Sequence, residues 1–164
     1  KSYLYTASRT ALKNIAIRMG YNSTGFISAE FFPSDNLKTI DDVTDRINAF
    51  DQKLKTEGTT LCIIILPYEM QISNDAARAY ADLGIAWEAG FLDGSTQKLI
   101  RERLNTPYIY DGLKAFSGLE DTAKAGEYFV YNKGDKIDFN HPNRAGHALL
   151  AEGFAESGSC PILR

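Results

Sequence analysis

The chain has 164 residues, 44% of them hydrophobic and 24% charged, with a formal net charge of -3. That length reads as a single unit over 1–164 with a sizeable core, and the apolar fraction excludes an intrinsically disordered chain. The negative balance and the lack of a Lys/Arg cluster exclude the positive field that draws in nucleic acid, and the longest apolar run, Leu61 to Leu66, is far short of the roughly 20 residues that cross a bilayer, so no membrane span is expected.

Lys1 to Ala7 lacks an initiator Met and a signal peptide's apolar core, which reads as a processed or excised segment. Leu4, Ala7, Ala11, Leu12, Ile15 and Met19 recur at the spacing of one helical face, and Gly20 stops that helix. From Tyr21 to Asn36 periodicity disappears, but Phe26, Ile27, Phe31 and Phe32 are too apolar for a free linker, so this loop is expected to pack. Asn22-Ser23-Thr24 is a glycosylation sequon, meaningful only in a secreted, glycosylating context.

Thr39 is expected to cap a second helix carrying Ile40, Val43, Ile47, Phe50 and Leu54, with Asp41 and Asp42 near its positive end and Gly58 closing it. Leu61-Cys62-Ile63-Ile64-Ile65-Leu66 reads as a strand covered on both faces, ended by Pro67. Ser73 or Asn74 opens a helix toward Asp82, and Ser95 another toward Leu104 with Leu99, Ile100 and Leu104 buried. Tyr108 to Tyr110 suits a short strand ending at Asp111, Glu127 to Tyr131 another, and the last helix is expected from about Asn143 to Ala155. This alternation is that of an α/β fold with three layers: an open, mostly parallel sheet with helices on both faces. About three strands are few for burying such a sheet, so part of the sheet is expected from residues outside this chain.

The cysteines are Cys62, in the most apolar segment, and Cys160, in a Gly-Ser-rich tail. The expectation is a buried free thiol and a terminal one, since buried free Cys behaves as a small hydrophobe.

Both histidines lie in Asp138-Phe139-Asn140-His141-Pro142-Asn143-Arg144-Ala145-Gly146-His147. Asp138 and His141 fall between a strand and the final helix, where open α/β sheets carry catalytic groups. Three residues of separation in a loop let a carboxylate turn back to one ring nitrogen, fixing the tautomer while the other nitrogen faces a nucleophile. Pro142 restricts His141 to extended backbone and Asn143 caps the next helix, so the ring is expected to be held. His147 is expected to pack or hydrogen-bond within the helix. A zinc formed by Asp138, His141 and His147 is not expected, because the recurring spacings are absent. Glu69 and Gln71, just beyond the strand, read as solvated loop residues, although they could face the same cleft as His141.

This stretch resembles the last block of the SGNH (GDSL-like) hydrolase superfamily, an Asp-x-x-His followed by Gly-His on a terminal helix: Asp138, His141, Gly146 and His147. The resemblance is close over 135 to 156 and loose over most of the chain. It implies a flavodoxin-like fold, incomplete in this chain, and a serine esterase or acyltransferase acting on a small ester or acylated carbohydrate, without cofactor or metal. His141 is then the base and Asp138 its orienting carboxylate. The family's nucleophile and oxyanion blocks are missing: Asp93-Gly94-Ser95 has the right types in the wrong order, Gly20-Tyr21-Asn22-Ser23 lacks the final Asp, and Asn22 is not assigned the oxyanion role. The expected partner is therefore an N-terminal segment or chain carrying the Ser, the isolated chain is expected to be inactive, and the expected compartment is extracytoplasmic. The competing reading is a noncatalytic carbohydrate-binding or scaffold domain of the same fold, using its tyrosines and Trp87.

Overall fold

The computed structural model describes residues 12, 15, 31–82, 85–130 and 141–161. Phe31 and Phe32 open the long described segment and enter a 3-10 turn, Pro33–Asp35, which feeds helix α1, Leu37–Thr56. The sequence places the cap at Thr39. The structure places Asn36 there instead, its carbonyl accepting the Thr39 and Ile40 N–H groups at 2.9 and 3.2 Å, because the proline-led turn has already aligned the chain. Gly58, at φ 71°, ends the helix as expected, with its N–H on the Lys55 carbonyl at 3.1 Å.

Strand β1, Ile63–Ile65, and strand β2, Ile109–Asp111, pair in parallel, with Ile63 opposite Ile109 and Ile65 opposite Asp111. Between them lie the short helix α2, Glu69–Ile72, and helices α3, Asn74–Asp82, and α4, Ser95–Arg103. A 3-10 turn, Gly112–Phe116, follows β2, and helix α5, Arg144–Ser157, comes last. The chain is thus mixed α/β, with a two-stranded parallel sheet among the described residues. No helix among them is long and apolar enough to cross a membrane.

Two expectations about strands are corrected. Ile64 and Leu66 are 38% and 46% exposed, so β1 is not covered on both faces. Glu127 to Val130 is not a strand: only Phe129 makes a bridge, antiparallel to Pro142, because several carbonyls of this segment are taken by a side chain, that of Asn143. Tyr131 lies outside the described residues, as does most of the helix expected over Ser2 to Met19, of which Leu12 and Ile15 are helical and exposed.

One core cluster joins Phe31, Met70, Ala76, Tyr80, Ile85 and Phe91, with Phe31 edge-on to Tyr68 and to Phe91 at 5.0 Å. The second joins Ile72, Phe116, Phe129 and Leu150, binding α5 to the 3-10 turn after β2. Burying side chains of this size contributes about 1.5–3 kcal/mol each. Helix α1 is fastened to the end of α4 by polar contacts: Arg103 Nε on Asp41 Oδ1 at 2.6 Å, and the Asn48 amide on the Arg103 carbonyl and Asn105 N–H at 2.8 Å each.

Cys62 and Cys160 form a disulfide with Cα atoms 5.8 Å apart, which corrects the expectation of free thiols. Helix α5 returns its C-terminal end to the start of β1, a proximity that no local pattern carries. With the cysteines separated by 98 positions in sequence, chain entropy predicts that Cys62→Ser/Cys160→Ser lowers unfolding free energy by about 4 kcal/mol, measured by urea denaturation against the oxidised parent.

Tyr110, buried where β2 meets α5, has its phenol held above the ordinary value of 10.0, first by burial and then by Asp111 and Glu156. A raised folded-state value stabilises the fold fully below the unfolded value, and the contribution is lost as pH rises through the folded one. Stability is expected to fall with pH above about 10, and Tyr110→Phe to flatten that alkaline limb in denaturation curves.

Candidate functional site

Helix α5 reaches the carboxyl ends of both strands through small residues. A Cβ on Gly112, the residue after β2, would lie 2.7 Å from the Ile65 carbonyl and 2.8 Å from Leu150 of α5, so only glycine admits this three-way contact. Within α5, Gly146 leaves no room for a Cβ against the Tyr128 carbonyl, nor Gly153 against the Tyr110 hydroxyl. Gly146 thus has a packing reason to be glycine. Asp111, at the end of β2, accepts the Leu113 N–H at 3.1 Å and stands 3.9 Å from Arg101.

His141 immediately precedes this helix. Its carbonyl accepts the Val130 N–H at 2.9 Å, and the Asn143 N–H donates to the Tyr128 carbonyl at 2.9 Å, so the backbone is clamped on both sides of buried Pro142. The side chain of His141 is exposed. Asp138 lies outside the described residues, so the structure gives no distance between the two. Of the two roles expected of His147, packing or hydrogen bonding, its exposure on α5 rules out packing.

Asn143 is the expected cap, and it does more than cap. Its Oδ1 accepts the Ala145 and Gly146 N–H groups at 2.8 and 3.1 Å. Its Nδ2 donates to the carbonyls of Gly126, Glu127 and Phe129 at 3.3, 2.9 and 3.2 Å. One amide therefore joins the start of α5 to the segment before the His141 loop.

Glu69 and Gln71 are not solvated loop residues: both are buried, on α2. Tyr80 Oη donates to Glu69 Oε2 at 2.8 Å, and the Gly126 N–H donates to Oε1. Because the Gly126 carbonyl accepts from Asn143, the buried carboxylate holds the same residue on which the cap rests. Gln71 exchanges amide hydrogen bonds with Gln97 at 2.7 and 3.1 Å and donates to the Phe91 carbonyl at 2.8 Å, tying α2 to α4. Sequence reasoning missed these roles; the available signal was two long polar residues directly after an apolar strand and its Pro67.

Among the described residues no group of three His, Cys, Asp or Glu side chains gathers as a metal site. Compared with family models, curated proteins and solved structures, the chain finds no match.

Asn143→Ala removes the one oxygen that accepts two N–H groups and the donor to three carbonyls. It is expected to cost about 2–3 kcal/mol in urea denaturation, with the loss concentrated at α5, where amide exchange of Ala145 and Gly146 should accelerate most.

Proposed function

We propose that this chain carries the histidine and carboxylate of an SGNH-type serine esterase or acyltransferase, His141 and Asp138, in a three-layer α/β domain completed by residues outside it. The single observation that carries the reading is the clamped backbone of His141, held between the Phe129–Pro142 bridge and the Asn143 cap at the start of the helix whose Leu150 reaches the strand ends. A general base must be presented in fixed geometry, and this loop supplies it. The Asp-x-x-His, Gly-His pattern adds the chemical identity of the groups.

In this reading the serine comes from an N-terminal segment or chain. The exposure of Ile64 on β1 and of Leu66 just after it supports such a partner, since apolar strand residues are ordinarily covered in a parallel sheet. His141 takes the proton of the serine hydroxyl as the oxygen attacks the ester carbon, and returns it to the departing alcohol. Water, or an acceptor alcohol, then gives its proton to His141 as it attacks the acyl-enzyme, and the serine is released with that proton. Asp138 orients the ring and stabilises the imidazolium. The substrate class is a small ester or an acylated carbohydrate. The Cys62–Cys160 disulfide favours an oxidising, extracytoplasmic compartment.

The test is intact-mass spectrometry of the native full-length protein after fluorophosphonate treatment. A single covalent adduct, abolished in His141→Ala, is the expected result. Absence of an adduct on folded protein would sink the hydrolase reading and favour a noncatalytic binding domain. The isolated 164-residue chain is expected not to turn over p-nitrophenyl acetate in a His141-dependent way.

A further inference from the structure

A cleft of about 330 Å³ opens between α3 and the segment 121–124. Its size is at the small end of the ~300–1,000 Å³ usual for small-molecule sites. Asn74, Asp75 and Arg78 line one wall, Asp121 and Lys124 the other, and Trp87 closes the side.

The walls are fastened together before any ligand arrives. Ser73 Oγ donates to the Ala123 carbonyl at 2.8 Å, the Asn74 N–H to the Glu120 carbonyl at 2.9 Å, and Asn74 Nδ2 to Asp121 Oδ1 at 2.7 Å. Across the cleft the Ala125 N–H donates to Asp75 Oδ2 at 3.1 Å. That hydrogen bond is the main reason the Asp75 carboxyl sits below its ordinary range. A preformed cleft of this kind loses little ordering entropy on binding.

The lining also selects a chemistry. Asp75 and Asp121 balance Arg78 and Lys124, so the cleft offers no net charge to hold a phosphate or a polyamine. Trp87 is half-buried, with part of its ring packed against the core cluster around Phe31 and Phe91. Asp121 and Lys124 are exposed at the mouth of the cleft, Asp121 accepting from Asn74 through one oxygen, and Arg78 stands 3.7 Å from Asp75. A tryptophan beside accessible polar donors and acceptors matches a sugar ring, which presents C–H groups on its faces and hydroxyls on its rim.

We propose that this cleft binds a neutral carbohydrate of one or two rings, stacked on Trp87 with its hydroxyls held by Asp121, Arg78 and Lys124. The proposal rests on the cleft alone and stands whether or not His141 serves a serine.

Trp87 is the sole tryptophan of the chain, so its emission reports directly on the cleft. The experiment titrates the 164-residue chain with neutral mono-, di- and trisaccharides of glucose, galactose, mannose and N-acetylglucosamine, with inorganic phosphate and citrate as anionic probes. At least one sugar is expected to give a saturable change in Trp87 emission, which Asp121→Ala weakens by about tenfold, as for loss of a hydrogen bond to a charged group. Circular dichroism melts establish that the variant is folded, and Arg78→Ala replaces it where Asp121→Ala is not. Silence across the sugars overturns the proposal, as does a response to the anions alone or a sugar response that the folded variant leaves unchanged.

Discussion

The Asn143 side chain sets how the last helix meets the rest of the chain. A helix start leaves N–H groups unpaired, and a segment outside a sheet leaves carbonyls unpaired. Asn143 answers both needs with one planar amide, taking N–H groups of α5 on one atom and offering hydrogens to the 126–129 carbonyls on the other. The two-residue bridge that clamps His141 forms between the pieces this amide brings together. A strand in the same place would have consumed those carbonyls in a ladder and left the helix uncapped.

Behind the cap stands a buried carboxylate. Glu69 is costly to bury unless its oxygens accept hydrogen bonds, and it receives them from Tyr80 and from the Gly126 backbone. Those partners belong to α3 and to the loop that holds Asn143, so α2 becomes a hinge point between the two hydrophobic clusters. Met70 faces one cluster and Ile72 the other, while Glu69 and Gln71 bond sideways. Four consecutive buried residues, two apolar and two polar, let a single turn of helix serve both cores.

Much of the secondary structure is legible in the sequence because its causes are local. Ser73, Asn143 and Gly58 mark helix ends by capping chemistry acting within a few residues, and the structure places those ends accordingly; Ser95 opens its helix as the first residue, behind Gly94, without a side-chain cap. Thr39 misled because the turn initiated by Pro33 acts before the cap pattern begins. The polar network and the disulfide were not legible for another reason. Glu69 with Gly126, Gln71 with Gln97 and Cys62 with Cys160 are pairs made by the fold, and each residue taken alone has a commoner reading. Of the candidate site, the residue types and the cap were readable; the clamp on His141 depends on Tyr128 to Val130, whose apolar pattern suggests a strand and conceals its use as an anchor.

Helix α5 is held at both ends and in the middle, and that bears on what it can present. Asn143 fixes its first turn, Gly153 seats it on Tyr110, and Cys160, just past its end, is bonded to Cys62 at the entrance to β1. A helix pinned only at its N-terminus would pivot about the cap, and the residues before the cap would move with it. Pinned at the far end as well, it keeps the backbone of His141 in constant relation to the carboxyl ends of β1 and β2, where Gly112 brings strand and helix into contact. The disulfide, distant in sequence from the histidine, therefore bears on the position of the His141 backbone through the intervening helix.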